Sequence, residues 1–294
     1  MLRRILLASA GAMALTVVAQ AAEPLPPPPP PPPPPLWTGP YLGVNVGYGF
    51  GGDSNVDGFQ IFPGEAGSGE PGDDAAVARW NFSNNLRGVI GGGQLGYNYQ
   101  FPGTAWVAGF ETDFQGAGLT SAASRTAPFF FLSPPGAGEE FANAFFFDQR
   151  VSFFGTLRGR LGWSITPTFL LYGTGGLAYG EVRQTFSKLD FILDAGEGEA
   201  GILLGRNTLN RFQAGWTAGG GIEWAFLPNW SLKVEYLFVN LDTLTVPVFG
   251  FTPNANVPNQ FFFGQNSAST RFHTIKAGLN YHFWTAPPPV IAKY

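Results

Sequence analysis

The chain has 294 residues and a formal net charge of −4, with 12% charged residues, 16% aromatic residues, 41 glycines and no cysteine. So few charges would leave a soluble domain of this length poorly solvated. The acidic balance excludes the basic face that nucleic acid requires, and the missing cysteines exclude a disulfide scaffold or a lipoprotein.

At the N-terminus, Arg3 and Arg4 precede an apolar run from Ile5 to Val18 and then Ala19-Gln20-Ala21. This layout predicts a secretory leader over residues 1–21, cleaved after Ala21. The run is shorter than the roughly 20 residues of a bilayer-spanning helix, which disfavours an anchor. Residues 22–36 hold ten consecutive prolines. Such a run is a stiff polyproline II spacer, about 31 Å long at roughly 3.1 Å per residue, expected in the periplasm. A low-complexity linker is the preferred reading; spacing from peptidoglycan or docking a periplasmic partner is the functional one.

Beyond residue 36 the hydrophobicity has a period of two. Leu42, Val44, Val46, Tyr48 and Phe50 oppose Gly43, Asn45, Gly47 and Gly49. Next, Leu95, Tyr97, Tyr99 and Phe101 oppose Gln94, Gly96, Asn98 and Gln100; Trp106, Phe110 and Phe114 oppose Glu111, Asp113 and Gln115. The fourth run sets Val151, Phe153, Leu157, Leu161 and Trp163 against Thr156, Arg158 and Arg160. A fifth, "FLLYGTGGLAYGEVRQTF", has small residues on both faces, with Glu181 and Arg183 two apart. The sixth opposes Phe212, Trp216, Ile222, Trp224 and Phe226 to Gln213, Thr217 and Glu223. The seventh opposes Leu232, Val234, Tyr236 and Phe238 to Ser231, Lys233 and Glu235. The eighth opposes Ile275, Ala277, Leu279, Tyr281 and Phe283 to Thr274, Lys276, Asn280 and His282.

Short turns at 102–104, 165–168 and 227–229 alternate with long connections at 51–86, 117–149, 187–210 and 243–269. That alternation predicts an all-β fold, a transmembrane up-and-down antiparallel β-barrel of eight strands, with turns and both termini in the periplasm. Closure is required because an open edge would leave backbone groups unpaired in hydrocarbon. A soluble β-sandwich also alternates, but its outer face would carry abundant Lys, Glu and Thr rather than glycine with sparse charges. Trp37, Trp106, Trp163, Trp224 and Trp230 fall near strand ends, where an interfacial girdle is expected.

The segments "WTGPYLGVNVGYGFGG", "GGGQLGYNYQ", "WVAGFETDFQG", "GTLRGRLGW", "LLYGTGGLAYGEV", "GGGIEWAF", "WSLKVEYLF" and "IKAGLNYHF" occur in order over residues 37–283. As a set they resemble the small eight-stranded outer-membrane β-barrel family of proteobacteria, the "porin family" that includes surface antigens and opacity-like adhesins. The resemblance implies a Gram-negative outer-membrane location, outer-membrane lipid as surroundings, and the barrel-insertion machinery as a partner. Pro40 departs from the family's usual aromatic, and residues 284–294, a proline-containing tail, run past the aromatic at which family members usually end. Either "GLNYHF" or Tyr294 would then serve as the insertion signal.

Eight strands leave a bore just wide enough for side chains. Glu111, Asp113, Arg158, Arg160, Glu181, Arg183, Glu223, Lys233, Glu235 and Lys276 are the expected lumen charges, of both signs on neighbouring strands. Paired, they close the bore; the alternative is a narrow passive porin lined by the same groups. The outer loops are acidic and carry phenylalanine triplets. Those at 145–147 and 261–263 are expected in extended wall near strand starts, while Phe129, Phe130 and Phe131, mid-loop, are the adhesive candidates. With His273 and His282 as the only histidines and no cysteine, neither a hydrolytic triad nor a zinc site is expected. The resulting expectation is a protein without cofactor or catalytic residues, serving envelope integrity and adhesion.

Overall fold

A computed structural model describes residues 37–52, 54–62, 76–126, 129–131, 139–194, 199–251 and 261–283. The expected leader, polyproline spacer and C-terminal tail lie outside the described residues. The strands are β1 (Gly39–Phe50), β2 (Ser54–Phe62), β3 (Ala76–Asn84), β4 (Gly88–Gln100), β5 (Trp106–Arg125) and β6 (Phe129–Phe131). They continue with β7 (Glu139–Thr166), β8 (Phe169–Asp194), β9 (Glu199–Leu227), β10 (Trp230–Phe251) and β11 (Phe261–His282).

Among the described residues, eight strands close a ring in the order β1-β4-β5-β7-β8-β9-β10-β11, antiparallel throughout. The ring shuts where Tyr41 faces His282 and Phe50 faces His273. The expected eight-stranded barrel is therefore the observed one. Short turns join β4 to β5, β7 to β8 and β9 to β10 at one end.

The lipid-facing band follows the period-two reading. Val44 is 65% exposed, and Leu95, Phe110, Leu157, Leu161, Ile222 and Ile275 also point outward. Aromatic pairs bound it. Trp106 and Trp163 meet at 4.8 Å, Phe169 and Trp224 at 5.8 Å, and Trp230 and Tyr281 at 5.1 Å near the turn end. Phe114–Phe153 at 5.4 Å, Tyr179–Phe212 at 5.9 Å and Trp216–Phe238 at 5.3 Å stand about ten residues farther along, the length a tilted strand needs to cross hydrocarbon.

Three orientations differ from the sequence reading. Trp37 is 0% exposed and plugs the bore instead of joining the girdle, packing with Val107, Leu170 and Ala225. Val151 is buried inside, because the register of β7 shifts between Val151 and Phe153 and reverses the faces beyond that bulge. Glu181 and Arg183 do not enter the lumen. On β8 the interior positions are Ala178, Val182 and Gln184, so the intervening Glu181 and Arg183 face outward, where Asn210 donates to Glu181. Glycines on both faces of this strand leave its phase unmarked in the sequence.

The long connections are largely wall. The hairpin β2–β3 occupies most of 51–86: β2 pairs with the outer half of β11, from Phe263↔Ile61 to Ala268↔Val56, and β6 pairs with β3. Outside the membrane, β2 and β3 thus continue the wall that β1 and β4 form within it. The polarity inverts there. Val56, Trp80 and Phe82 point in while Asn55, Asp57, Asn81 and Ser83 point out, as expected where water replaces lipid outside the sheet.

Candidate functional site: the filled bore and the outer wall

Following β7 and β8 outward from the turns, the bore is filled in layers. The first is the apolar seal of Trp37, Val107, Leu170 and Ala225. The second is ionic. Arg158 lies 2.5 Å from Glu111, 3.1 Å from Asp113 and 2.9 Å from Glu235. Lys233 reaches Glu111 at 2.7 Å, and Lys276 reaches Asp113 at 2.7 Å and Glu235 at 3.1 Å. Arg160 pairs with Glu223 and lies over the Tyr172 ring at 3.6 Å. Tyr41 donates to Glu111 at 2.6 Å and Tyr172 to Glu235 at 3.1 Å.

Four carboxylates thus meet four cations, and the layer is neutral. Desolvating an ion costs several kcal/mol, which the attraction of surrounding partners must offset; here the charges of adjacent strands supply those partners. The expected lumen residues other than Glu181 and Arg183 converge in this network. Oxygen atoms of Glu111, Asp113 and Glu235 lie within 4.8 Å of one another, as a cation site requires. Arg158, Lys233 and Lys276 already balance them.

Small residues make room for the layer. A Cβ built on Gly96 would lie 2.4 Å from the hydroxyl of Tyr41, so a larger residue would displace that donor from Glu111.

Beyond the ions lies an apolar plug including Leu86, Ile90, Leu119, Val151, Phe154, Leu237 and Phe272. Phe154 and Phe272 meet edge to face at 5.2 Å. An amide layer follows: Asn84 donates to Gln149 at 2.7 Å, and Gln149 to Thr270 at 2.7 Å. The outermost layer is aromatic, with Trp80 against Phe145 at 4.1 Å and Phe186 at 5.7 Å, and Trp80 donating to Asn266 at 2.7 Å. Lys188 and Asp190 pair inside it at 2.5 Å. They lie about 20 residues from the turn end of β8, beyond the 9–11 residues that cross hydrocarbon. Burial lowers the Lys188 ammonium to about 8 against the opposing pull of Asp190. It also raises the Asp190 carboxyl above its usual range.

His282 comes within reach of Ser231 at 2.8 Å and Glu223 at 3.3 Å, a grouping invisible in the sequence. Both contacts fall on the same ring nitrogen, and Ser231 donates to Glu223 at 2.5 Å. A hydrolytic triad instead sets nucleophile and acid on opposite nitrogens. His273 lies outside the bore, bonded to Tyr236 at 2.6 Å and stacked on Phe50 at 5.7 Å.

On the outer wall, Phe145, Phe147 and Phe262 point inward while Phe146 and Phe263 point out. Phe249, 69% exposed, faces Phe263 across the β10–β11 ladder, and Leu204 lies outward on neighbouring β9. Phe129–Phe131, expected mid-loop, have strand backbone paired with Ala76–Ala78 of β3.

The family model of the outer membrane protein beta-barrel domain matches residues 6–283. The 31 kDa outer-membrane immunogenic protein of Brucella melitensis is 34% identical over 286 residues, 96% of this chain and 100% of that protein. Two solved structures resemble the chain at lower similarity. Ail, the attachment invasion locus protein of Yersinia pestis, is 13% identical, covers 84% of this chain and 99% of its own, and has a TM-score of 0.34. The outer membrane protein OprG of Pseudomonas aeruginosa is 12% identical, covers 84% and 97%, and has a TM-score of 0.39. By the family match and the Brucella relative, the chain is an outer-membrane protein and belongs to the outer membrane protein β-barrel domain family.

Proposed function

We propose that this protein is a non-conducting structural barrel that acts through its outer wall, in envelope integrity and surface contact. The succession of apolar, ionic, apolar, amide and aromatic layers in the bore carries this reading. Water entering the ionic layer from either end would meet an apolar seal first, and eight strands leave little radius beside the side chains. The same filling argues against a passive pore. The bonding around His282, sealed beneath Trp37, argues against catalysis.

Surface contact is assigned to the outward apolar patch of Leu204, Phe249 and Phe263, which stands beyond the lipid band, with Phe129–Phe131 as a second element. An exposed apolar cluster such as Leu204, Phe249 and Phe263 marks an interaction surface. On the periplasmic side, the polyproline run would serve as a linker that keeps the N-terminus extended, and the last strand would be read by the insertion machinery.

The test is single-channel recording of residues 22–294 refolded into a planar bilayer. Silence is expected, also for R158A/R160A, because the layer around Phe154 and Phe272 remains. Steady, ion-selective conductance of the wild type would overturn the reading. Surface contact is checked by adherence of cells displaying F249S/F263S, expected to fall several-fold at unchanged display level.

A further inference from the structure

Immediately beyond the outer aromatic pairs, backbone pairing aligns a row of exposed residues across the β3–β4 connection and strands β5, β7, β8 and β9. Arg87 pairs with Thr120, Thr120 with Arg150, Arg150 with Arg183, and Arg183 with Asn210. All five are exposed. Neighbouring strands lie about 4.8 Å apart, so Arg150 and Arg183 confront each other directly. Like charges so placed repel and destabilise the ladder. Among the described residues, none of Arg87, Arg150 or Arg183 has a carboxylate partner within salt-bridge distance. A chain that is acidic overall thus sets arginines without a salt-bridge partner at one height, with Asp148 and Glu181 two residues along on the same outward faces of β7 and β8.

A second, independent feature adjoins the row. Where the β3–β4 connection leaves β5, a polar groove of about 520 Å³ opens, lined by Asn85, Arg87, Thr120, Ser121, Ser124 and Arg125 among others. Arg87 and Thr120 belong to both features. On the membrane side, Phe114–Phe153 and Tyr179–Phe212 offer flat apolar surface.

We infer that this face binds the headgroup of a phosphorylated glycolipid of the outer leaflet. The arginines match phosphate, with planar donors suited to bidentate contact. The hydroxyls and amides of the groove match sugar hydroxyls, and the aromatic band below matches acyl chains. A protein partner would not explain why the row begins where the lipid band ends.

The test uses the full mature barrel in neutral detergent, titrated with lipid A, a bisphosphorylated diglucosamine lipid, and read by native mass spectrometry. The parallel arms are dephosphorylated lipid A, phosphatidylglycerol and inorganic phosphate. Saturable binding of lipid A is expected, with at least tenfold weaker binding for dephosphorylated lipid A and for the R150Q/R183Q variant. N85A/S124A should weaken lipid A binding and leave phosphatidylglycerol unchanged. Without glycolipid, R150Q/R183Q should melt at or above the wild-type temperature, because it removes a repulsion and touches no interior contact. Equal lipid A binding by wild type and R150Q/R183Q overturns the inference. So does inorganic phosphate or phosphatidylglycerol binding as tightly as lipid A, or a lower melting temperature for the variant.

Discussion

Replacing Arg158 by methionine is the sharpest probe of the ionic layer. The guanidinium binds three carboxylates, on Glu111, Asp113 and Glu235, and its loss leaves four carboxylates facing three cations in a layer closed to water. Removing one partner of a buried ion pair typically costs about 3–5 kcal/mol, because the other charge stays buried. For a domain of this size each kcal/mol corresponds to roughly 2–4 °C, so R158M should melt roughly 6–20 °C below wild type. The assay is the loss of the folded gel band of micelle-refolded barrel on heating, with urea unfolding as a second measure. E111Q/R158M restores neutrality and should recover part of the loss, giving a positive coupling in the double-mutant cycle. An R158M melting temperature within about 2 °C of wild type would show that water or rearrangement compensates the charge, and would refute a dry ionic layer.

Truncating the apolar plug tests a different layer. F154A and F272A should each cost about 3–5 kcal/mol by the same urea assay, the usual loss for a buried phenylalanine, and should couple because the rings are in contact. In the outermost layer, burial holds Lys188 at about 8, below its usual range. Between that value and the unfolded value near 10.5 the unfolded chain binds more protons, so stability should rise with pH. Urea midpoints at pH 7.5 and pH 10 should show this rise, and K188M should remove it. Asp190, raised by burial, has the opposite sign in the acid range. There the folded chain holds the extra proton, so its contribution falls as pH rises through that window.

Much of the fold was legible because the bilayer imposes a strict alternation. Leu42, Val44 and Val46 face lipid and Asn45 faces in, and no other period accommodates both. The lumen charges followed from the same parity on β5, β7, β9, β10 and β11. The sequence is silent where parity itself breaks. The bulge next to Val151 reverses β7, and the glycines of β8 leave nothing to set the phase near Glu181 and Arg183. Trp37 precedes the first strand, so its inward turn depends on the space left by Val107 and Leu170. Hairpin β2–β3 was hidden because its apolar residues point inward against polar outward neighbours, a contrast that reads as acidic loop.

The inversion of polarity explains why one continuous sheet carries two different cores. β7 to β11 run unbroken through both, so residues on one strand must switch from apolar-out to apolar-in as they leave the bilayer. On β7 the bulge between Val151 and Phe153 makes the switch: Leu157 and Leu161 face lipid on one side of it, and Phe145 and Phe147 face the aromatic core on the other. On β11 no comparable shift is needed near Phe272, because Thr274 and Lys276 share its inward parity and the change lies in residue type alone. The arginine row stands at this same boundary, since Arg150 is the second residue outward of the bulged Ser152. The bulge turns Arg150 outward and seats Val151 in the plug. A single extra residue in β7 thus links the sealing of the bore to the charge displayed at the membrane surface.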